Sequence, residues 1–143
     1  MLLPKKFERW SHIMMIVIVE DTQFKIEQLE SFLIKERIPW KVFGYVNDAL
    51  RFIRKEREDV SGVILDLGLE TMSGAGDATP YRGLDVAKEM KRLKLDIPVL
   101  INSTTELEMG SAEYPNIIGH RTEMDDYESL ENFVSFLRER DKQ

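Results

Sequence analysis

The chain is predicted to fold as a doubly wound α/β domain with a five-stranded parallel sheet and helices on both faces. Three observations lead there. Segments with strand and helix patterns alternate five times along the 143 residues. Alternation of that kind favours parallel strands joined by helical crossovers. The strand-like runs are continuously apolar, as in strands buried on both faces. The stretches between them space their apolar residues three and four apart, as in helices with one buried side.

The first strand is read in Ile13 to Val19, a β-branched and apolar run that stops abruptly at Glu20-Asp21. From Thr22 to Arg37 the pattern becomes helical through Ile26, Leu29 and Leu33. Ile38 to Tyr45 reads as a more polar strand, and its entry through Pro39 places it at a sheet edge. Asn47 or Asp48 is the expected cap of the next helix, whose inner stripe is Ala49, Leu50, Phe52 and Ile53. Gly62 to Leu65 is a short apolar strand that also ends in an acid, Asp66. The polar stretch Glu70 to Arg82, with Gly74, Gly76 and Pro80, has the composition of a surface loop. Gly83 to Leu95 reads as a helix with Leu84, Val86, Ala87, Met90 and Leu93 inward. Ile97 to Ile101 forms the fourth strand, followed by Asn102-Ser103-Thr104-Thr105. Glu106 to Tyr114 is patterned for one or two helical turns, Asn116 to Gly119 for a fifth strand. Asp126 to Arg140 reads as an amphipathic helix through Tyr127, Leu130, Phe133, Val134 and Leu137.

Composition narrows the function classes. Twenty Lys and Arg against 26 Asp and Glu give a formal net charge of −6, which disfavours nucleic-acid binding. The absence of cysteine removes disulfides, thiolate metal sites and thiol nucleophiles. The longest apolar run is too short to span a bilayer, and no secretory signal pattern is present, so a cytoplasmic location is expected.

In open α/β sheets, ligands bind beyond the carboxyl ends of the strands. The polar residues at those ends are Glu20 and Asp21 after strand one, Asp66 after strand three, and Ser103 with Thr104 after strand four. Singly, each is an ordinary cap or solvated side chain. Three converging carboxylates repel one another unless a cation neutralises them. An all-oxygen set of this size suits Mg²⁺.

These residues carry a resemblance. Ile18-Val-Glu-Asp21, Val63-Ile-Leu-Asp66, Gly83-Leu84 and Ile97-Pro-Val99 leading to Ser103-Thr104 resemble the receiver domain of two-component response regulators. The likeness runs from about Met14 to Leu137, and Asp66 follows Asp21 by 45 positions, which suits the family. It implies a flavodoxin-like sheet of order 2-1-3-4-5, with residues 1–13 as an N-terminal extension and 14–143 as the receiver domain. It further implies that Asp66 accepts phosphate, that Glu20, Asp21, Asp66 and the Gly68 carbonyl hold Mg²⁺, and that Ser103 is the switch hydroxyl, with Thr104 beside it. The implied partners are a histidine kinase or phosphotransfer protein and a downstream protein reached by direct contact, with no nucleic acid and no membrane.

Four features depart from the family pattern. The usual Lys at the end of strand five is missing, and His120 or Arg121 stands there instead; Arg is not a conservative exchange for Lys. Gly83 follows Asp66 by 17 positions, which leaves an insert over 70–82 that reads either as a solvated loop or as a lid. Only 17 positions lead from Ser103 to His120, so the fourth helix is short. The aromatic residue expected in strand five is replaced by Ile117 or Ile118. Two further readings therefore stand beside the phosphoacceptor. One is a pseudo-receiver that binds protein partners without phosphorylation. The other, a phosphatase using Asp66, is poor because Gly68 sits where such enzymes carry a second Asp. The chain is expected not to be an enzyme.

Overall fold

The computed structural model describes residues 14–68, 83–104 and 113–142. In chain order the elements are β1 (Ile16–Val19), α1 (Gln23–Lys35), β2 (Trp40–Phe43), α2 (Val46–Lys55), β3 (Gly62–Leu65), α3 (Leu84–Arg92), β4 (Val99–Asn102), β5 (Ile117–Arg121) and α4 (Tyr127–Asp141). The strands form one sheet in the order β2-β1-β3-β4-β5, and every pairing is parallel. All five carboxyl ends therefore lie along one rim, where Glu20, Asp66 and Ser103 emerge.

Side-chain alternation explains why the central strands are apolar throughout. Val17, Val19, Val63, Leu65, Val99 and Ile101 face one core together with Ala49 and Ile53 of α2 and Val86, Ala87 and Met90 of α3. Ile16, Ile18, Ile64 and Leu100 face the other, against Leu29 and Leu33 of α1 and Leu130, Phe133, Val134 and Leu137 of α4. Each strand feeds both layers, so a polar residue at any of these positions would be buried without a partner. Gly62 lets α4 approach: a Cβ there would lie 2.7 Å from Leu137 Cδ1.

Several expectations are refined. The edge position of β2 is as its Pro39 entry implied. The α2 helix begins at Val46, with Tyr45 as its N-cap and no capping side chain, so neither Asn47 nor Asp48 serves as the cap. Tyr127, the first residue of α4, is half exposed. The fifth strand extends to Arg121, past the expected Gly119, and it carries a register shift opposite Val99/Leu100. That irregularity leaves Ile118 exposed on the sheet edge. The expected turns over Glu106 to Tyr114 fall almost wholly on residues outside the described ones, as do the insert over 70–82 and the N-terminal extension. No described helix is long and apolar enough to cross a membrane.

Candidate functional site

Glu20 is the residue after β1, and only 1% of it is exposed. Its side chain folds back over the start of α1, where Oε2 accepts hydrogen bonds from the Asp21 and Thr22 amides at 3.0 and 3.3 Å. Thr22, the N-cap of α1, makes no side-chain capping bond, so Glu20 takes over part of that task. The other oxygen, Oε1, is buried with no hydrogen-bond partner, the one such side-chain atom among the described residues.

Asp66 follows β3 and is also buried, and its amide is tied to the Val19 carbonyl at 2.9 Å. The parallel β1–β3 register thereby sets the two strand-end acids side by side. Asp21 joins them from the solvent side. One carboxylate oxygen from each of Glu20, Asp21 and Asp66 lies within 4.8 Å of the other two. Burial, with Asp66 adding to it, pushes the Glu20 carboxyl up to about 7, against the opposing pull of Lys25 and the two amide hydrogen bonds.

This donor set fits a hard divalent cation. It offers three carboxylates at chelating distance, a desolvated oxygen that lacks a partner, and one open, solvated side through Asp21. Gly68 borders the same place, since a Cβ on it would lie 3.9 Å from Asp66 Oδ2. Gly83 closes the base of the insert. Its amide donates to the Leu67 carbonyl at 2.8 Å, and a Cβ on it would lie only 1.8 Å from the Asp66 carbonyl oxygen. The chain thus leaves and re-enters the described fold directly beside Asp66, and only glycine allows that approach.

The β4–β5 end of the rim is built differently. Ser103 is buried and its amide donates to the Arg121 carbonyl at 3.1 Å, while Thr104 is exposed. The His120 ring places Nε2 3.2 Å from the Ser103 carbonyl. Arg121 is 2% exposed, and its guanidinium donates four of its five N–H groups. Nε donates to the Asp126 carbonyl at 2.8 Å, Nη1 to Asn102 Oδ1 at 2.8 Å, and Nη2 to Gln28 Oε1 at 2.9 Å and to the Met124 carbonyl. The group stacks 6.0 Å from the Tyr127 ring centre. None of these bonds reaches Glu20, Asp21 or Asp66. Arg121 ties β5 to β4, α1 and the segment entering α4.

The structure brings together Glu20, Asp21 and Asp66, with Gly68 alongside, and gathers Ser103, Thr104, His120 and Arg121 at the adjoining strand ends. Sequence reasoning missed Asn102 and Gln28, the side-chain partners of Arg121, and the influence of the Lys25 charge on Glu20. The first two carry no local signal, because their roles depend on contacts 19 and 93 positions away. Lys25 carried one: a cation in the first turn of a helix that has no acid there opposes the helix dipole.

No protein-family model matches the chain, and no curated protein matches it. Solved structures do. The receiver domain of Francisella response regulator 1452 superposes with a TM-score of 0.70 at 15% identity, covering 88% of this chain and 97% of that one. Response regulator TrrA from Thermotoga maritima, in complex with Mg²⁺ and beryllofluoride, gives 0.68 at 20% identity, with 87% and 99% covered. The receiver domain of a sensor histidine kinase from Pseudomonas aeruginosa, with a magnesium ion coordinated in its active-site cleft, gives 0.65 at 14% identity, with 90% and 98% covered. Sheet order, parallel pairing and coverage agree: the chain has the fold of response-regulator receiver domains.

Proposed function

We propose that the chain is a phosphoacceptor receiver that takes a phosphoryl group from a histidine kinase or phosphotransfer protein onto Asp66 and signals by protein–protein contact. The observation that carries this reading is the Glu20–Asp21–Asp66 cluster at the carboxyl ends of β1 and β3, with Glu20 Oε1 buried and unpaired. Glu20, Asp21 and Asp66 would hold Mg²⁺ together with the Gly68 carbonyl. When bound, the ion would offset negative charge on the incoming phosphoryl group and on the carboxylates.

The rest is the work of the chain. The Asp66 carboxylate attacks phosphorus in line with the phosphohistidine nitrogen. A P–O bond forms, the P–N bond breaks, and the imidazole leaves with the electron pair and takes up a proton. The β3 register and the Gly83 contact hold Asp66 in place for that attack. Ser103, at the end of β4, supplies a hydroxyl toward a phosphoryl oxygen. The chain is then a phosphoprotein that relays a signal and not an enzyme turning over a separate substrate.

Intact mass after incubation with Mg²⁺ and acetyl phosphate tests the reading. The native protein should gain one phosphoryl group, and Asp66→Asn should gain none. A gain that survives in Asp66→Asn overturns the assignment. The engagement of Arg121 in structural hydrogen bonds favours a second reading, a pseudo-receiver acting by contact alone. That reading predicts no mass gain under any condition.

A further inference from the structure

A phosphoryl group on Asp66 would bring more negative charge to a rim that already carries three carboxylates, and a metal ion covers only one side of it. The residue expected to balance the other side, at the end of β5, is not available. Arg121 spends its guanidinium on Asn102, Gln28, Asp126 and Met124, and the His120 ring faces the Ser103 carbonyl. A cleft at this end of the rim is lined by Lys25, Asn102, Ser103, Thr104 and Arg121, with the β5–α4 segment as its outer wall. Of its two described cations, Arg121 commits four of its five N–H groups to hydrogen bonds. Lys25 makes no hydrogen bond or ion pair among the described residues, although its side chain is half-buried.

The position of Lys25 needs explaining. It sits in the first turn of α1, the positive end of the helix dipole, where a cation is disfavoured and no acid of that turn offsets it. The anion that compensates is Glu20, whose side chain folds over the start of the same helix. Glu20 feels the Lys25 charge directly, which places the ammonium within electrostatic reach of the acidic cluster. Lys25 thus lines the cleft at the Ser103–Thr104 strand end while its charge reaches Glu20, on the sheet face opposite α2 and α3. Its four-carbon stem can swing an ammonium over that span, which the fixed fork of Arg121 cannot.

We infer that Lys25, projecting from α1, is the cation that contacts the phosphoryl group on Asp66, and that the role has moved from the end of β5 to the first turn of α1. The inference rests on the phosphoacceptor reading and adds to it the residue that supplies the positive charge. It makes an unusual demand on the two ligands. Removing the Lys25 charge relieves competition for the carboxylates, so Mg²⁺ should bind at least as tightly. A phosphoryl mimic should bind more weakly.

The experiment compares native protein, Lys25→Gln, Lys25→Arg and Arg121→Lys. Mg²⁺ affinity is titrated by amide shifts, and beryllofluoride affinity is measured by fluorine NMR at saturating Mg²⁺. Lys25→Gln should lose about tenfold or more in beryllofluoride affinity, as for a charge-assisted hydrogen bond, with Mg²⁺ affinity equal or higher. Lys25→Arg should recover most of the loss. Arg121→Lys should bind the mimic as the native protein does. Native mimic affinity in Lys25→Gln, or a loss confined to Arg121→Lys, overturns the assignment while leaving the phosphoacceptor intact. A parallel loss of Mg²⁺ and mimic in Lys25→Gln would mark a structural role and also overturns it. If the native protein binds no beryllofluoride and gains no phosphoryl mass, the phosphoacceptor reading itself fails, and this inference falls with it.

Discussion

The two halves of the carboxyl rim solve opposite problems. At the β4–β5 end a buried cation is surrounded by acceptors: Asn102, Gln28 and two backbone carbonyls satisfy Arg121. At the β1–β3 end two buried acids face each other and a third, and one Glu20 oxygen has no hydrogen-bond partner among the described residues. Folding alone explains the first arrangement, because a satisfied buried charge locks three elements and a loop together. It does not explain the second, which crowds like charges at a buried place and is the arrangement a bound cation would relieve. The contrast separates a structural polar residue from a functional one more sharply than residue type does. By position, His120 or Arg121 stood where the family carries its phosphate-contacting Lys.

The strongest break of that contrast is Arg121→Ala. It strands Asn102 and Gln28 and uncouples β5 from α1, so we expect a loss of about 3 kcal/mol in urea unfolding. A loss below about 1 kcal/mol would mean the network is not a clamp. Next comes Gly83→Ala, which forces a methyl against the Asp66 carbonyl oxygen at 1.8 Å unless the backbone moves. Overpacking of this kind costs about 1–3 kcal/mol, and here it should also shift the Asp66 amide resonance. Unchanged stability and an unmoved Asp66 signal would show that the junction is loose.

Glu20→Gln should have the opposite sign. Removing a charge from the crowded end should stabilise the metal-free protein by about 1–2 kcal/mol at pH 8. The pH dependence follows from the raised Glu20 carboxyl, at about 7 against an ordinary 4.5. Between those values the folded state holds more protons than the unfolded chain, so stability should rise as pH falls through 7 and level off below 4.5. Denaturant midpoints from pH 8 to 5 should show that rise in the native protein, with a shallower slope in Glu20→Gln. The smallest effect is that of Mg²⁺. Because the ion competes with protons for Glu20, millimolar Mg²⁺ should raise the thermal midpoint more at pH 8 than at pH 5.5, and not at all in Asp21→Asn. Equal midpoints at every pH would remove the metal from the site.

Much of this was legible before any coordinates. The alternation of apolar runs and helical stripes, with acids at two strand ends, was enough to expect the sheet, its parallel pairing and the convergence of Glu20, Asp21 and Asp66. Boundaries were less legible where the signal was a cap: Asn47 and Asp48 are good capping residues, yet packing of Val46 into the core starts α2 earlier. Tyr127 fitted the helical spacing but, as the first residue of α4, is half exposed.

What the sequence by itself determined is the fold class and the acidic cluster. Both follow from local periodicity and from the rule that parallel strands end on one rim. Only the tertiary structure decided what the cations do. His120 and Arg121 are adjacent, and their order says nothing about which would turn toward the acids. The β4–β5 register shift and the approach of Gln28 and Asn102 from distant segments drew Arg121 into a closed network. Lys25, one helical turn past the acidic pair, makes no hydrogen bond or ion pair among the described residues, and its charge acts on Glu20. Charge type is written in the chain, but a charge finds its partners through contacts between segments far apart in sequence, and the packed fold alone sets those.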